Sequence, residues 1–285
     1  MRLEKHHNIL IVGLGLLGGS YAMALSRRGY HVSAITLEQS SIDYAINKGI
    51  IRYGTTEVEP ALVANADVII FALYPHTFIE WMEQHAHLLT SGTIITDVTG
   101  VKGTIIPRVN ALLPDGVEYI AAHPMAGREV GGVENADDRI FLGANYLVVP
   151  TENNSPAAIE LCEDLGWTIG FHQVSQLSPE RHDEMIGFLS QLTHCIAVSL
   201  MCAKDDPELV HYTGDSFRDL TRIARINDAM WSELFLENRE MLLTEMDRFR
   251  DAFEHLYTAV RDGNRDEMRE MMRTSTARRA LFDKP

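Results

Sequence analysis

Six residues near the N-terminus, Gly13-Leu14-Gly15-Leu16-Leu17-Gly18, restrict the fold of this chain more than any other segment. A lone GxGxxG is a weak signal. Here it follows an apolar run at 8–12 and opens a helix-like stretch at 16–28, which Gly29 stops. In that setting Gly13 permits a tight turn, Gly15 lets backbone approach a pyrophosphate, and Gly18 lets the helix pack close to its strand. The N–H groups of Leu16 and Leu17, at the positive end of the helix, then face phosphate. The expected ligand is a dinucleotide. Its ribose-binding acid would fall near Thr36, but the nearest carboxylate is Glu38, two residues later. No Arg stands at 36–40 to hold a 2′-phosphate. Thr36 and Glu38 are the ribose candidates, and NAD is favoured while NADP remains open.

Strand-like and helix-like segments alternate through the first half. Strands are expected at 31–36, 67–73, 93–98, 119–122 and 146–149, with helices at 41–48 and 75–89 between them. The segment 67–73, DVIIFAL, is apolar on both faces, as in a parallel sheet covered by helices on each side. A last helix at 157–165 and strand at 167–174 close this part. The pattern is α/β: a Rossmann-type doubly wound parallel sheet followed by an all-α C-terminal domain. The expected boundary gives a dinucleotide-binding domain at 1–176 and a helical domain for substrate binding and dimerisation at 177–285.

The helical part starts at Ser178-Pro179, an N-cap followed by proline at the first helical position, and its first helix is expected to run to about Ala203. Phe235, Leu242, Met246, Phe249, Phe253, Leu256 and Val260 recur at helical spacing, an apolar stripe on one long helix ended by Gly263. A homodimer through these C-terminal helices is expected, two-fold dimers being the commonest oligomer.

The 285 residues carry a formal net charge of −15. Such a surface repels nucleic acid and anionic membranes, so neither is expected as a partner. It also repels an anionic substrate, and any anion site must come from locally clustered basic residues or helix N-termini. The three cysteines, at 162, 195 and 202, form no disulfide framework. Glycines break the only signal-peptide-like run, and no stretch reaches the ~18–20 apolar residues of a membrane span, so the chain is expected to be cytoplasmic. His6-His7 and His85/His87 lack ligand spacing, and no metal is expected.

Rossmann ligands sit outside the carboxyl ends of the strands. Two polar clusters fall there: DVTGVK at 97–102 and HPMAGRE at 123–129. His123, on a strand-end loop beside glycine, is placed as a general base whose pKa lies near working pH.

With these segments, HDEMIGFLSQLTH at 182–194 and FRDLTRIARINDAMW at 217–231, the chain resembles the prephenate dehydrogenases and the closely related arogenate dehydrogenases over nearly its whole length. The resemblance implies oxidative decarboxylation of a cyclohexadiene dianion, with hydride transfer to the nicotinamide, in tyrosine biosynthesis. By the same resemblance His123 takes the proton of the ring C4 hydroxyl and His194 lines the reacting centre. Arg222, in a basic cluster with Arg218 and Arg225, binds a substrate carboxylate, and Trp231 walls the pocket. Lys102 and Arg128 are expected to add positive charge from the Rossmann side. Many relatives carry Ser where Gly100 stands, its hydroxyl bonding the catalytic His or the substrate; Thr99 is expected to substitute. Arg128 replaces a hydroxyl residue, and with Gly100 it leaves the choice between prephenate and arogenate open. Neither a mutase segment before the first strand nor a regulatory domain after the last helix fits within the chain, so tyrosine feedback is expected to act at the active site. Two other classes were weighed. A hydroxyacid or imine reductase would place a Lys on the helical domain, and 178–203 has none. A non-catalytic NAD(H)-sensing module would not explain His123, His194 and Arg222 together.

Overall fold

The structure is a computed structural model and describes residues 2–128 and 130–282. Its first half runs β1 (Asn8–Val12), α1 (Leu16–Arg27), β2 (His31–Ile35), α2 (Gln39–Asn47), β3 (Tyr53–Thr55), α3 (Pro60–Ala64), β4 (Val68–Phe71), α4 (Pro75–His85), β5 (Ile94–Asp97), α5 (Ile105–Asn110) and β6 (Glu118–Tyr119). These six strands form one parallel sheet in the order β3-β2-β1-β4-β5-β6. That is the doubly wound order whose direction reverses between β1 and β4, where a crevice opens at the carboxyl ends. Every residue of β4 and β5 is buried, in keeping with helices on both faces of the sheet.

The segment 119–122, expected as one further strand of this sheet, divides instead. Ile120 N still donates to Ile95 O at 3.0 Å. From the next residue the chain enters a second sheet, β7 (Ala121–Pro124), β8 (Asn145–Val149) and β9 (Gln173–Gln176), in which β7 and β8 are antiparallel. Asp97 makes the exit possible, since its carboxylate accepts from Ala122 N at 3.1 Å in place of a sheet carbonyl. Between β8 and β9 lies α6 (Pro156–Ile169), which overruns the strand expected from Trp167. Gly166 does not end this helix. A Cβ there would lie 2.5 Å from the Tyr146 ring, so the glycine serves close helix–sheet packing, and Gly170, at φ 106°, makes the stop.

The helical part comprises α7 (Pro179–Ile186), α8 (Thr193–Cys202), α9 (Asp215–Thr221), α10 (Asp228–Glu237), α11 (Arg239–Arg261) and α12 (Arg265–Arg279). The Ser178 hydroxyl caps α7 by accepting from Arg181 N. A wide π turn, Gly187–Leu192, joins α7 to α8. The resulting 24-residue helix, Pro179–Cys202, is long and apolar enough by length and composition to cross a membrane, contrary to the expectation that no stretch reaches that size. It also carries a buried polar set, His182, Asp183 and Gln191.

The expected single long helix from 235 is also interrupted. Asn238 is buried, and its amide donates to Asp183 O at 2.9 Å and to Gln191 Oε1 at 2.8 Å. These bonds pin the residue that ends α10, leaving Phe235 on a different helix from the rest of the stripe.

Two compact units result, Met1–Asn238 and Arg239–Pro285. Helices α7 to α10 belong with the sheets in the first. Leu234 of α10 joins a core cluster with Phe71 of β4 and Val101, and Met230 and Trp231 pack against that cluster.

Candidate active site

The nucleotide turn has the geometry its glycines require. Gly13 sits at φ 95°, and a Cβ there would lie 2.5 Å from Ala72 O, just past β4. A Cβ at Gly18 would come within 1.9 Å of Gly13 O. A Cβ at Gly15 would meet no atom within 4 Å. Protein packing thus accounts for Gly13 and Gly18, while Gly15 borders open space at the start of α1. That helix has no side-chain cap and no acidic residue in its first turn, so the N–H groups around Leu16 and Leu17 have no local anion. These residues fit a dinucleotide pyrophosphate. Thr36 is half-buried with its hydroxyl 3.4 Å from Leu14 N, which ties the end of β2 to the turn, and Glu38 is exposed just before α2.

From this turn the carboxyl edge of the sheet leads to His123. Val98 N donates to Phe71 O at 3.1 Å, which sets the loop after β5 beside the end of β4. Asp97, wholly buried, accepts from five donors: Thr99 N at 2.9 Å, Lys102 Nζ at 2.6 Å, Tyr119 OH at 3.0 Å, Ala122 N at 3.1 Å and the Thr99 hydroxyl. The Lys102 ammonium is 0% exposed and also donates to Thr99 Oγ1 at 3.1 Å. Burial lowers its pKa, and Asp97 opposes that shift. Thr99 and Lys102, expected as substrate contacts, are instead the internal struts of this loop. Their polar atoms are committed to Asp97, and the Thr99 hydroxyl does not replace the one missing at Gly100.

His123, half-buried in β7, faces α7. Its Nδ1 lies 3.0 Å from His182 Nε2, and His182 Nδ1 lies 2.7 Å from Asp183 Oδ1. Asp183 also accepts from Lys102 N at 2.9 Å and from Gly103 N at 2.7 Å. Burial, then His182 and Lys102, push the His123 pKa well below its ordinary value. Burial also lowers that of His182, against the opposing hydrogen bond it donates to Asp183. A Cβ at Gly100 would lie 3.4 Å from Leu234 and 4.0 Å from His123 Cε1, so Gly100 sits between the histidine and α10.

The helical side presents a second group. His194 stacks on Trp231 with ring centroids 3.7 Å apart, and its Nδ1 lies 2.8 Å from Ser190 O. Arg222 is exposed on the Arg222–Ala224 turn, which packs against α8, the helix carrying His194. Arg218 pairs with Asp215 at 3.1 Å. Three hydrogen bonds bind the start of α4 to α10 among the described residues: His76 N to Glu233 Oε1 at 2.7 Å, His76 Nδ1 to Glu233 Oε2 at 2.7 Å, and Asn227 Nδ2 to Tyr74 OH at 3.3 Å. Arg128 donates to Asn135 O at 3.2 Å and pairs with Asp137 at 3.5 Å, in a groove it shares with Met23 and Arg27 at the far end of α1. Glu129, the last residue of the HPMAGRE segment, lies outside the described residues.

Sequence reasoning missed His182 and Asp183 as parts of the site, along with Gln191 and Asn238. The adjacent His-Asp pair was a visible signal, but its partner, His123, lies 59 residues away and only the fold joins them. Among the described residues no group of three or more His, Cys, Asp or Glu could hold a metal ion.

Fold and nucleotide turn together define a dinucleotide-dependent oxidoreductase of the Rossmann type. A family model described as "Prephenate dehydrogenase, nucleotide-binding domain" matches residues 21–173, and one described as "Prephenate dehydrogenase, dimerization domain" matches 178–274. The chain belongs to the prephenate dehydrogenase family. It is 28% identical to the prephenate dehydrogenase of Bacillus subtilis over 280 residues, 95% of this chain and 75% of the relative. It is 28% identical to the cyclohexadienyl dehydrogenase of Zymomonas mobilis over 290 residues, 99% of this chain and 97% of that one. The crystal structure of A. aeolicus prephenate dehydrogenase in complex with hydroxyphenyl propionate and NAD+ matches at a TM-score of 0.89 and 30% identity, covering 99% of this chain and 100% of that one.

Proposed function

We propose that this chain is an NAD-dependent prephenate dehydrogenase, converting prephenate to 4-hydroxyphenylpyruvate and CO2 in tyrosine biosynthesis. The observation that carries the reading is His123, held from behind by His182 at 3.0 Å and set beside Gly100 on the loop after β5, a loop at the carboxyl ends of the sheet that carries the Gly13–Gly18 turn. The start of α1, with Thr36 and Glu38 after β2, would hold NAD+, which when bound would supply the hydride acceptor. His123 accepts the proton of the C4 hydroxyl, which drives electron density toward loss of hydride. Arg222 anchors a substrate carboxylate, the task a guanidinium suits in a protein of charge −15. The stacked pair His194 and Trp231 walls the ring, whereas Arg128, expected to read the substrate, is paired with Asp137 at the far end of α1 and is left out of the pocket. Closing the sheet edge against α10 sheds water from the reacting centre.

The functional division lies at 176/177, nucleotide binding before it and substrate binding with dimerisation after it. The homodimer forms through the C-terminal helices. In its support, Phe249, Phe253, Tyr257 and Val260 of α11 are all exposed in the single chain. The enzyme works as a soluble cytoplasmic protein, without nucleic acid or membrane.

A second reading, arogenate as substrate, keeps the same chemistry and draws on the relative named for cyclohexadienyl substrates. One assay separates the readings: reduced-nicotinamide absorbance with prephenate and arogenate, each crossed with NAD+ and NADP+. Fastest turnover with prephenate and NAD+ is expected. Faster turnover on arogenate reassigns the substrate, and none on either acid refutes the activity.

A further inference from the structure

We propose that His182 and Asp183 act together as a positioning pair that fixes the tautomer of His123, so that its Nε2 is left as the proton acceptor. The inference rests on the reading of His123 as the base and extends it to two residues outside the reacting centre. It follows from donor and acceptor counting along one chain of atoms. Both Asp183 oxygens receive backbone N–H groups, Lys102 N on Oδ1 and Gly103 N on Oδ2, so this carboxylate acts as an acceptor. His182 Nδ1, 2.7 Å from Oδ1, therefore carries a proton. A neutral His182 then has a bare Nε2, which accepts at 3.0 Å from His123 Nδ1–H. A neutral His123 with its proton on Nδ1 has its lone pair on Nε2, and among the described residues none hydrogen-bonds to that atom.

The alternative fails on charge. If His182 were a cation its Nε2–H would point at His123 Nδ1, force the proton of His123 onto Nε2 and remove the base. His182 is 0% exposed, and the charges packed against the pair are Lys102 on the loop after β5 and the carboxylates Asp183 and Asp97. Burial and Lys102 both oppose a second proton on His182, and burial is the largest influence. Among the described residues no hydroxyl hydrogen-bonds to His123. Gly100 has none to offer, and the Thr99 hydroxyl is bound to Asp97. The backbone secures the far end: a Cβ at Gly103 would come within 2.8 Å of Asp183 Oδ2, so this carboxylate is seated against a glycine.

The first test needs no turnover. Ring 15N shifts of 15N-histidine-labelled full-length protein, at about pH 8, above the imidazole range, report each tautomer, with the His123→Asn spectrum assigning the signal. A protonated Nδ1 and a bare Nε2 are expected for His123; the reverse overturns the proposal. The second test is kinetic. His182→Leu should lower kcat roughly 100-fold, the scale of a misdirected base, with KM for the acid and Kd for the dinucleotide nearly unchanged. His182→Gln, whose amide oxygen can still accept from His123 Nδ1, should recover most of the loss. A folded His182→Leu with undiminished kcat overturns the assignment, and if that variant does not fold the 15N result decides. The tautomer is read without turnover, so an enzyme inactive on every cyclohexadiene acid would refute the function and leave this result standing.

Discussion

Two buried polar networks meet at the loop after β5, and they end differently. Around Asp97 five donors converge on one carboxylate, and the Lys102 ammonium, wholly enclosed, is bound to Asp97 and Thr99. Nothing in that cluster points outward. The line from Asp183 through His182 to His123 is also buried at its root, but it is open at its tip, where an imidazole nitrogen faces away from the chain that orients it. Satisfied polar groups in low dielectric are rigid and inert. A chain left one donor short at its end offers its spare acceptor to a substrate. The loop carries both, so the closed network acts as the foundation on which the open one is aimed.

The contrast breaks most sharply at the open tip. His123→Asn should lower kcat by at least ~100-fold, the usual scale of a lost general base, while leaving the melting temperature close to that of the parent. Steady-state kinetics beside a thermal melt read both. Turnover within a few-fold of the parent would remove His123 from the chemistry. The closed network should respond in the opposite sense. Asp97→Asn strands the Lys102 charge, and breaking a buried pair in this way costs about 3–5 kcal/mol of folding stability. Urea unfolding measures it. A stability loss below about 1 kcal/mol, with kcat greatly reduced, would mean that the Asp97 cluster takes part in the reaction directly.

Much of this arrangement was legible in the sequence, because it depends on local signals. The glycine spacing at 13–18, the apolar runs of β4 and β5 and the Ser178-Pro179 helix start each encode their structure within a few residues. What stayed hidden was non-local. Lys102 reads as a free cation from its neighbours along the chain, and only the fold reveals the carboxylate five residues back closing on it. His182 pairs with a residue 59 positions away. Asn238 interrupts an apolar stripe that periodicity alone would continue, through bonds to residues 47 and 55 positions earlier.

The nucleotide turn sharpens the same distinction between packing and function. Gly18→Ala drives a methyl into Gly13 O and should unfold or distort the turn, whereas Gly15→Ala meets no protein atom within 4 Å. Gly15→Ala should therefore fold like the parent and yet bind NAD+ about 10-fold or more weakly, roughly the 1.4 kcal/mol that a displaced pyrophosphate contact represents. Isothermal titration with NAD+ measures it. Unchanged affinity would place the dinucleotide elsewhere.

The smallest expected effect is also the most discriminating between foundation and tip. Burial lowers the pKa of His123 and of His182 in the folded protein, while the unfolded chain keeps values near 6.5. For groups depressed in this way the unfolded state binds more protons in the window between the two values. Their contribution to stability is complete above about pH 6.5 and is lost as pH falls from there through the folded values. The base itself stays neutral across that window, so the acidic limb of kcat/KM should lie below the ordinary imidazole range. Activity per folded molecule should thus persist at pH values where the melting temperature has begun to fall. In His123→Asn the decline in melting temperature below pH 6.5 should be shallower, because one of the two imidazoles with a lowered pKa is gone. An acidic limb at or above 6.5 would mean that the base is solvated rather than enclosed, and that the imidazole at the open tip lacks the burial its partner His182 has.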